Sequence, residues 1–254
     1  LIGSEDGNMY AVSQRLGQKE WQCATGGPIR SSARVEYGHA FFGSDDGNLY
    51  ALNAQTGRII WKFQSAGPIR STPLIAGELI FVGSDDGYLY ALDLRTGMMR
   101  WKQNAYRRVT SSPALDVSRV LVGSGDGHLY CVSASSGWPV WRYRTRGPVY
   151  SSPSVAEGSV YVGSADGHLY ALDAETGRER WKYDTGSPVT SSPVLAEGIV
   201  YIGSNDGTLH AVDTQKARNL WRYSTKGPIP SSPVVGERLV YIGSVDHNVY
   251  ALPT

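Results

Sequence analysis

The chain has 254 residues, with 24 Lys and Arg against 23 Asp and Glu for a formal charge of +1. It lacks the basic excess of a dedicated nucleic-acid binder and any run of 18 or more apolar residues that would insert directly into a membrane. Two cysteines are too few for a disulfide framework and do not stand at a metal-ligand spacing, so Cys23 and Cys131 read as buried free thiols.

The predicted elements repeat. Gly-Ser recurs at 3, 43, 83, 123, 163, 203 and 243, and tryptophan at 21, 61, 101, 141, 181 and 221, a spacing of 40 with no insertion or deletion. A period of this size marks solenoids, propellers or arrays. The chain opens mid-pattern on LIGSEDG, with no charged start followed by an apolar segment, which suggests a fragment of a longer protein. Within residues 190 to 226, TSSPVLAEG, IVYIGSNDG, TLHAVDTQKA and RNLWRYSTK are four short runs rich in Val, Ile, Tyr and Trp, separated by Gly-containing turns. That pattern predicts four strands joined by hairpins, and nothing in the unit has a helical period. Along the chain this predicts a leading copy that lacks its first strand, five complete copies, and a trailing copy that lacks its fourth.

The expected fold is therefore all-β: a β-propeller of four-stranded antiparallel blades on a 40-residue repeat, in one domain over residues 1–254. Seven blades is the reading; six with a spare hairpin, or an eight-bladed parent cut short, are the alternatives. Asp-Gly pairs at 6, 46, 86, 126, 166 and 206 turn the second strand into the third. In the last copy His247 follows Asp246, which predicts a strained turn there. Asp45-Asp46-Gly47-Asn48 resembles a calcium loop, but one or two carboxylates per loop fall short of the six to eight oxygens calcium takes, and no metal is assigned.

The segment ALDAETGRERW at 171–181, with Ser-Ser-Pro at 191–193 and YIGSNDG at 201–207, resembles the PQQ-like (pyrroloquinoline quinone) propeller repeat family, and the resemblance covers nearly the whole chain. That family includes quinoprotein dehydrogenases, outer-membrane assembly lipoproteins and sensor domains of bacterial serine/threonine kinases. The resemblance implies that Trp21, Trp61, Trp101, Trp141, Trp181 and Trp221 dock each blade against its neighbour. It also implies, for a dehydrogenase, a quinone held between a tryptophan and a ring of adjacent disulfide-linked cysteines, with calcium beside it. This chain has no adjacent cysteines and is less than half the usual length, so it reads as a non-dehydrogenase member without a cofactor. A periplasmic or extracytoplasmic location is implied by the resemblance alone.

Other catalytic patterns are weak. His128 and His168 share one repeat position, and two histidines without a third ligand make a poor metal site. Serines precede the first strand of every copy, and a ring of equals is a structural pattern, since a nucleophile needs one serine with its own base.

Function is sought where the copies disagree. On the side carrying the blade-to-blade connections and the Asp-Gly turns, Arg30, Arg70, Tyr106, Arg107, Arg108, Arg146, Tyr150 and Lys226 stand at variable positions, a combination suited to a protein, an acidic peptide or a small anionic ligand. Glu5, Asp45 and Asp85 on that side dilute its field. At the turn into the fourth strand, Ile59-Ile60, Met98-Met99 and Trp138-Pro139-Val140 replace the charged pairs Lys19-Glu20 and Glu179-Arg180, forming a candidate apolar rim for a protein partner. The chain is read as a non-catalytic binding or sensing module, with an assembly scaffold using rim or strand edges as the alternative.

Overall fold

The computed structural model describes residues 1–254. All its elements are β-strands, in seven antiparallel sheets. The first sheet is β1 (Ile2–Gly3), β2 (Asn8–Val12) and β3 (Lys19–Ala24). The second runs β4 (Arg34–Glu36), β5 (His39–Gly43), β6 (Asn48–Asn53) and β7 (Ile59–Gln64), and the third β8 (Leu74–Ala76), β9 (Leu79–Gly83), β10 (Tyr88–Asp93) and β11 (Met99–Asn104). Next come β12 (Ala114–Asp116), β13 (Arg119–Gly123), β14 (His128–Ser133) and β15 (Pro139–Arg144), then β16 (Ser154–Ala156), β17 (Ser159–Gly163), β18 (His168–Asp173) and β19 (Glu179–Asp184). The sixth is β20 (Val194–Ala196), β21 (Ile199–Gly203), β22 (Thr208–Asp213) and β23 (Asn219–Ser224). The seventh is β24 (Val234–Val235), β25 (Leu239–Gly243) and β26 (Val249–Pro253). Five sheets have four strands and the two terminal ones three, as the repeat count required. The chain divides into two compact units, residues 1–122 with 132–138 and residues 123–131 with 139–254.

Alternation along the strands decides what is buried. The second and third strands carry large apolar residues on both faces, so Phe41, Phe42, Leu49 and Leu52 are all buried, whereas the fourth strand alternates with an exposed edge. Each fully buried side chain of this kind contributes about 1.5–3 kcal/mol. The clusters lie between neighbouring sheets: Met9 and Trp21 of the first against Ala40, Phe42, Tyr50 and Leu52 of the second, and Tyr201, Leu209 and Trp221 of the sixth against Val240, Ile242 and Leu252 of the seventh. A one-residue register shift recurs between the third and fourth strands, after Ala11, Ala51, Ala91, Ala171 and Ala211, each of which is paired with the blade's tryptophan. Bulges of this kind re-aim side chains on the bulged strand.

Five of the six repeated tryptophans bond to the next blade, and Trp221 packs on the cluster of the sixth and seventh sheets. Indole Nε1 of Trp21, Trp61, Trp101, Trp141 and Trp181 donates to the carbonyl 33 residues on, at Ala54, Leu94, Ala134, Ala174 and Thr214, over 2.8–3.2 Å. The Thr-Gly turn is the other half of this joint. Gly57, Gly97, Gly137 and Gly177 have φ near +70°, and a Cβ on any of them would stand 2.5–2.6 Å from the indole of the preceding blade. Both the backbone angle and the close approach require glycine. At the strained last turn His247 has φ +71°, in line with its departure from Asp-Gly.

The serines have two distinct structural tasks. Ser31, Ser71, Ser191 and Ser231 each bond both the amide and the carbonyl of a glycine 12 residues on, tying the first strand to the second. The next residue links blades: the amide of Ser32 donates to Thr72 Oγ1, Thr72 to Ser112 Oγ, Ser152 to Ser192 Oγ, and Ser192 to Ser232 Oγ.

Candidate interaction surfaces

The Asp-Gly aspartates are consumed by the fold. Asp46 Oδ1 accepts the amide of Asn48 at 2.8 Å, while Oδ2 accepts the Tyr50 hydroxyl at 2.6 Å and the amide of Gly26, in the preceding connection, at 2.8 Å. Asp86, Asp166 and Asp246 repeat all three bonds with Tyr90, Tyr170 and Tyr250 and with the amides of Ala66, Arg146 and Lys226. Burial of Asp46 opposes its charge, but the Tyr50 hydroxyl and the two amides outweigh it and hold the carboxyl below its ordinary range. A carboxylate saturated by three donors offers little to a cation, which is the physical reason the calcium-like loop is a turn clamp. The signal for this clamp in the sequence is the Asp-x-x-x-Tyr spacing, as at Asp46 and Tyr50.

On the side of the connections, the first three blades carry a string of alternating charge. Arg30 lies 3.4 Å from Glu5 and 3.3 Å from Asp45; Arg70 holds Asp45 in a two-point bond at 2.9 and 3.0 Å and reaches Asp85 at 3.1 Å. Asp45 and Asp85 are largely buried and Arg70 is half-buried, so this is a clamped network rather than a set of loose surface pairs. Burial pushes the Asp85 carboxyl up, against the opposing fields of Arg70 and Arg108, and the bond to Asp45 holds the Arg70 guanidinium above its ordinary value. Of the predicted site residues, the structure brings Arg30 and Arg70 together through Asp45 and spends their charge there. Tyr106, Arg107, Arg108, Arg146 and Lys226 are exposed, and Tyr150 is half-buried. Tyr106 sits in a left-handed turn at φ +64°, where the usual glycine-proline is replaced by Arg107-Arg108.

At the turns into the fourth strand, Ile59, Ile60, Met98, Met99, Trp138 and Val140 all face solvent, with Trp138 75% and Met98 69% exposed. Trp138 is thus unlike the five tryptophans bonded to the next blade: it follows Gly137 in the turn, and its side chain faces solvent. Cys23 and Cys131 are buried and form no disulfide, and burial raises the Cys23 thiol above its ordinary value.

Seven sheets of one forty-residue plan, joined by tryptophan docking, define a β-propeller of the PQQ-like repeat class. Within that class, the family described as "Beta-alanine-activating enzyme, beta-propeller" matches residues 75–254, and the chain belongs to it. The family described as "Outer membrane protein assembly factor BamB" matches residues 5–106. No curated protein sequence matches the chain. Among solved structures, the computationally designed Ika8 protein superposes with a TM-score of 0.90 at 17% identity, over 99% of this chain and 79% of that one. BamB from Moraxella catarrhalis superposes at 0.67 and 21% identity, over 99% and 92%. At these identities the likeness is one of fold.

Proposed function

We propose that this propeller is a non-catalytic module that binds a protein or peptide partner, with the exposed apolar turns at Ile59-Ile60, Met98-Met99 and Trp138 as its principal contact. The observation that carries the reading is the exposure of Trp138 in a chain where five of the other six tryptophans bond to the next blade. Exposed aromatic and Met side chains at one recurring position are the composition of interface centres. The repeated polar residues support it from the other direction: the serines ahead of the first strands and the Asp-Gly aspartates are bonded to the backbone of the fold, a structural use. The name of the matched assembly factor agrees with a scaffold role.

A second reading rests on Tyr106, Arg107 and Arg108, which would offer an acidic peptide or small anion an exposed aromatic and basic site beside the clamped charges. The two separate in one experiment. Partner capture on immobilised wild type is compared with Trp138→Glu and with Arg107→Glu/Arg108→Glu. A partner retained by the second variant and lost by the first supports the rim; the opposite pattern moves the site to the connections; loss by neither refutes both.

A further inference from the structure

The fourth sheet carries two arginines where the other sheets carry at most one basic residue. Arg144 ends β15 and Arg146 lies in the connection that follows. The same two positions hold Ala24 and Gly26, Gln64 and Ala66, Asn104 and Tyr106, Asp184 and Gly186, and Ser224 and Lys226 in the other copies. Residues two apart on extended backbone share a side, and Thr145 between them is buried while both arginines are exposed. Their backbone is pinned. The Thr145 amide donates to the Gly127 carbonyl at 2.8 Å, its hydroxyl reaches the Gly127 and Gly147 carbonyls at 3.0 and 2.6 Å, and Asp166 holds the Arg146 amide at 2.8 Å.

Between this segment and the Asp-Gly turn of the same sheet lies an open cleft of about 540 Å³, walled by Gly125, Asp126, Gly127, Arg144, Arg146 and Pro148. In the second sheet the equivalent space is filled. There Gln64 lies over the turn, its Nε2 donating to the Asp46 and Ser65 carbonyls, and a Cβ on Gly47 would strike it at 2.7 Å. Arg144 takes the place of Gln64, yet a Cβ on Gly127 would have only backbone atoms of Thr145 and Gly147 as its nearest neighbours, at 3.2 Å or more. The acid is gone as well. Ahead of the Asp-Gly pair the first three sheets carry Glu5, Asp45 and Asp85, which take up Arg30 and Arg70, and the fourth carries Gly125. Neither Arg144 nor Arg146 is ion-paired. Asp126, the one acid of the wall, is engaged by its own turn: it accepts the His128 amide at 2.9 Å and the Tyr130 hydroxyl at 2.6 Å, and His128 Nδ1 lies 3.2 Å from Oδ2.

We propose that this cleft binds a phosphate monoester between the guanidiniums of Arg144 and Arg146. Its volume falls within the about 300–1,000 Å³ of small-molecule sites and exceeds what a bare ion fills. Walls of glycine and guanidinium give little apolar grip, so charge selects the ligand. A phosphate monoester brings about 1.5–2 negative charges and three acceptor oxygens near neutral pH, which suits two forked cations better than the single charge of a carboxylate. The pinned backbone leaves only the two side chains to be ordered on binding. The site lies at the other end of β15 from Trp138 and does not rest on the apolar turns.

The test is isothermal titration calorimetry on the full chain at fixed ionic strength, with O-phosphoserine, serine and inorganic phosphate as probes. Wild type is expected to bind one phosphoserine saturably, more tightly than inorganic phosphate, and not to bind serine. Arg144→Gln/Arg146→Gln should raise the dissociation constant about tenfold or more. Gly125→Asp, which restores the acid of the second and third sheets, should also weaken binding. Lys226→Gln removes the base at the position equivalent to Arg146 and should bind like wild type. Thermal melts check the fold; should Gly125→Asp melt low, the arginine pair decides alone, since both side chains are exposed. No saturable binding by wild type, an arginine variant that binds like wild type, or an equal loss in Lys226→Gln overturns the proposal. So does serine or inorganic phosphate bound as tightly as phosphoserine.

Discussion

The fifth and sixth blades are built to one plan and differ at two turns, and the difference separates what sets the fold from what tunes it. In the fifth, Asp166 accepts the Tyr170 hydroxyl at 2.7 Å, and Gly177 lies under the Trp141 indole. In the sixth, His210 replaces that tyrosine and Ala217 that glycine. Asp206 accepts from Ser204 Oγ and the Thr208 amide, and buried His210 turns to the Tyr183 hydroxyl, 3.1 Å from Nδ1, which Asn219 also engages. Strand register, bulge included, is nonetheless the same in both blades. Apolar alternation and tryptophan docking fix the blade; the clamp and the turn glycine adjust its stability.

The largest break comes from the part both blades share. Trp141→Ala removes the indole over Gly177 and its bond to the Ala174 carbonyl, and is expected to lower stability by about 3 kcal/mol. Trp181→Ala, with its bond to Thr214, should match it. An unchanged urea midpoint in either variant would refute the docking role. Smaller effects come from exchanging the turn residues. Gly177→Ala puts a Cβ into the Trp141 ring at positive φ and should cost about 2 kcal/mol. Ala217→Gly relieves a left-handed alanine at φ +51° and should gain roughly 0.5–1 kcal/mol. Equal melting temperatures for the two exchanges would mean the turn tolerates either residue.

The smallest expected effect depends on pH. Burial holds the His210 imidazole below its ordinary value of 6.5, with Asp206 opposing that shift and Arg222 reinforcing it. The unfolded chain therefore takes up this proton first, and stability is lost as pH falls below about 6.5 and through the lower folded-state value. His210→Tyr restores the clamp seen at Asp166 and removes this group. Its advantage over wild type in chemical denaturation should be greater near pH 5 than near pH 8, by about 1 kcal/mol or less. An advantage that shrinks on acidification would refute the assignment.

Much of this was legible beforehand. Equal spacing of Gly-Ser and Trp predicted seven copies with incomplete ends, and β1–β3 and β24–β26 are those ends. The docking tryptophans were legible through resemblance, and Trp138 through its departure from the repeat. The partners of Arg30 and Arg70 were not: Glu5 and Asp45 lie 25 and 15 residues from Arg30, and Asp45 lies 25 from Arg70, distances at which sequence carries no geometry. The effect of such charges on a ligand depends on which of them meet.

By itself the sequence determined the blade, because alternation and Gly-containing turns act within a few residues and a strict period repeats their result. Tertiary structure alone decided which of the repeated faces are covered. Phe41 and Phe42 are successive residues of one strand that face opposite ways, yet both are buried, Phe42 in the cluster that holds Met9 of the preceding sheet and Phe41 in the cluster that holds Ile80 of the following one, because burial belongs to the neighbour that supplies the other face.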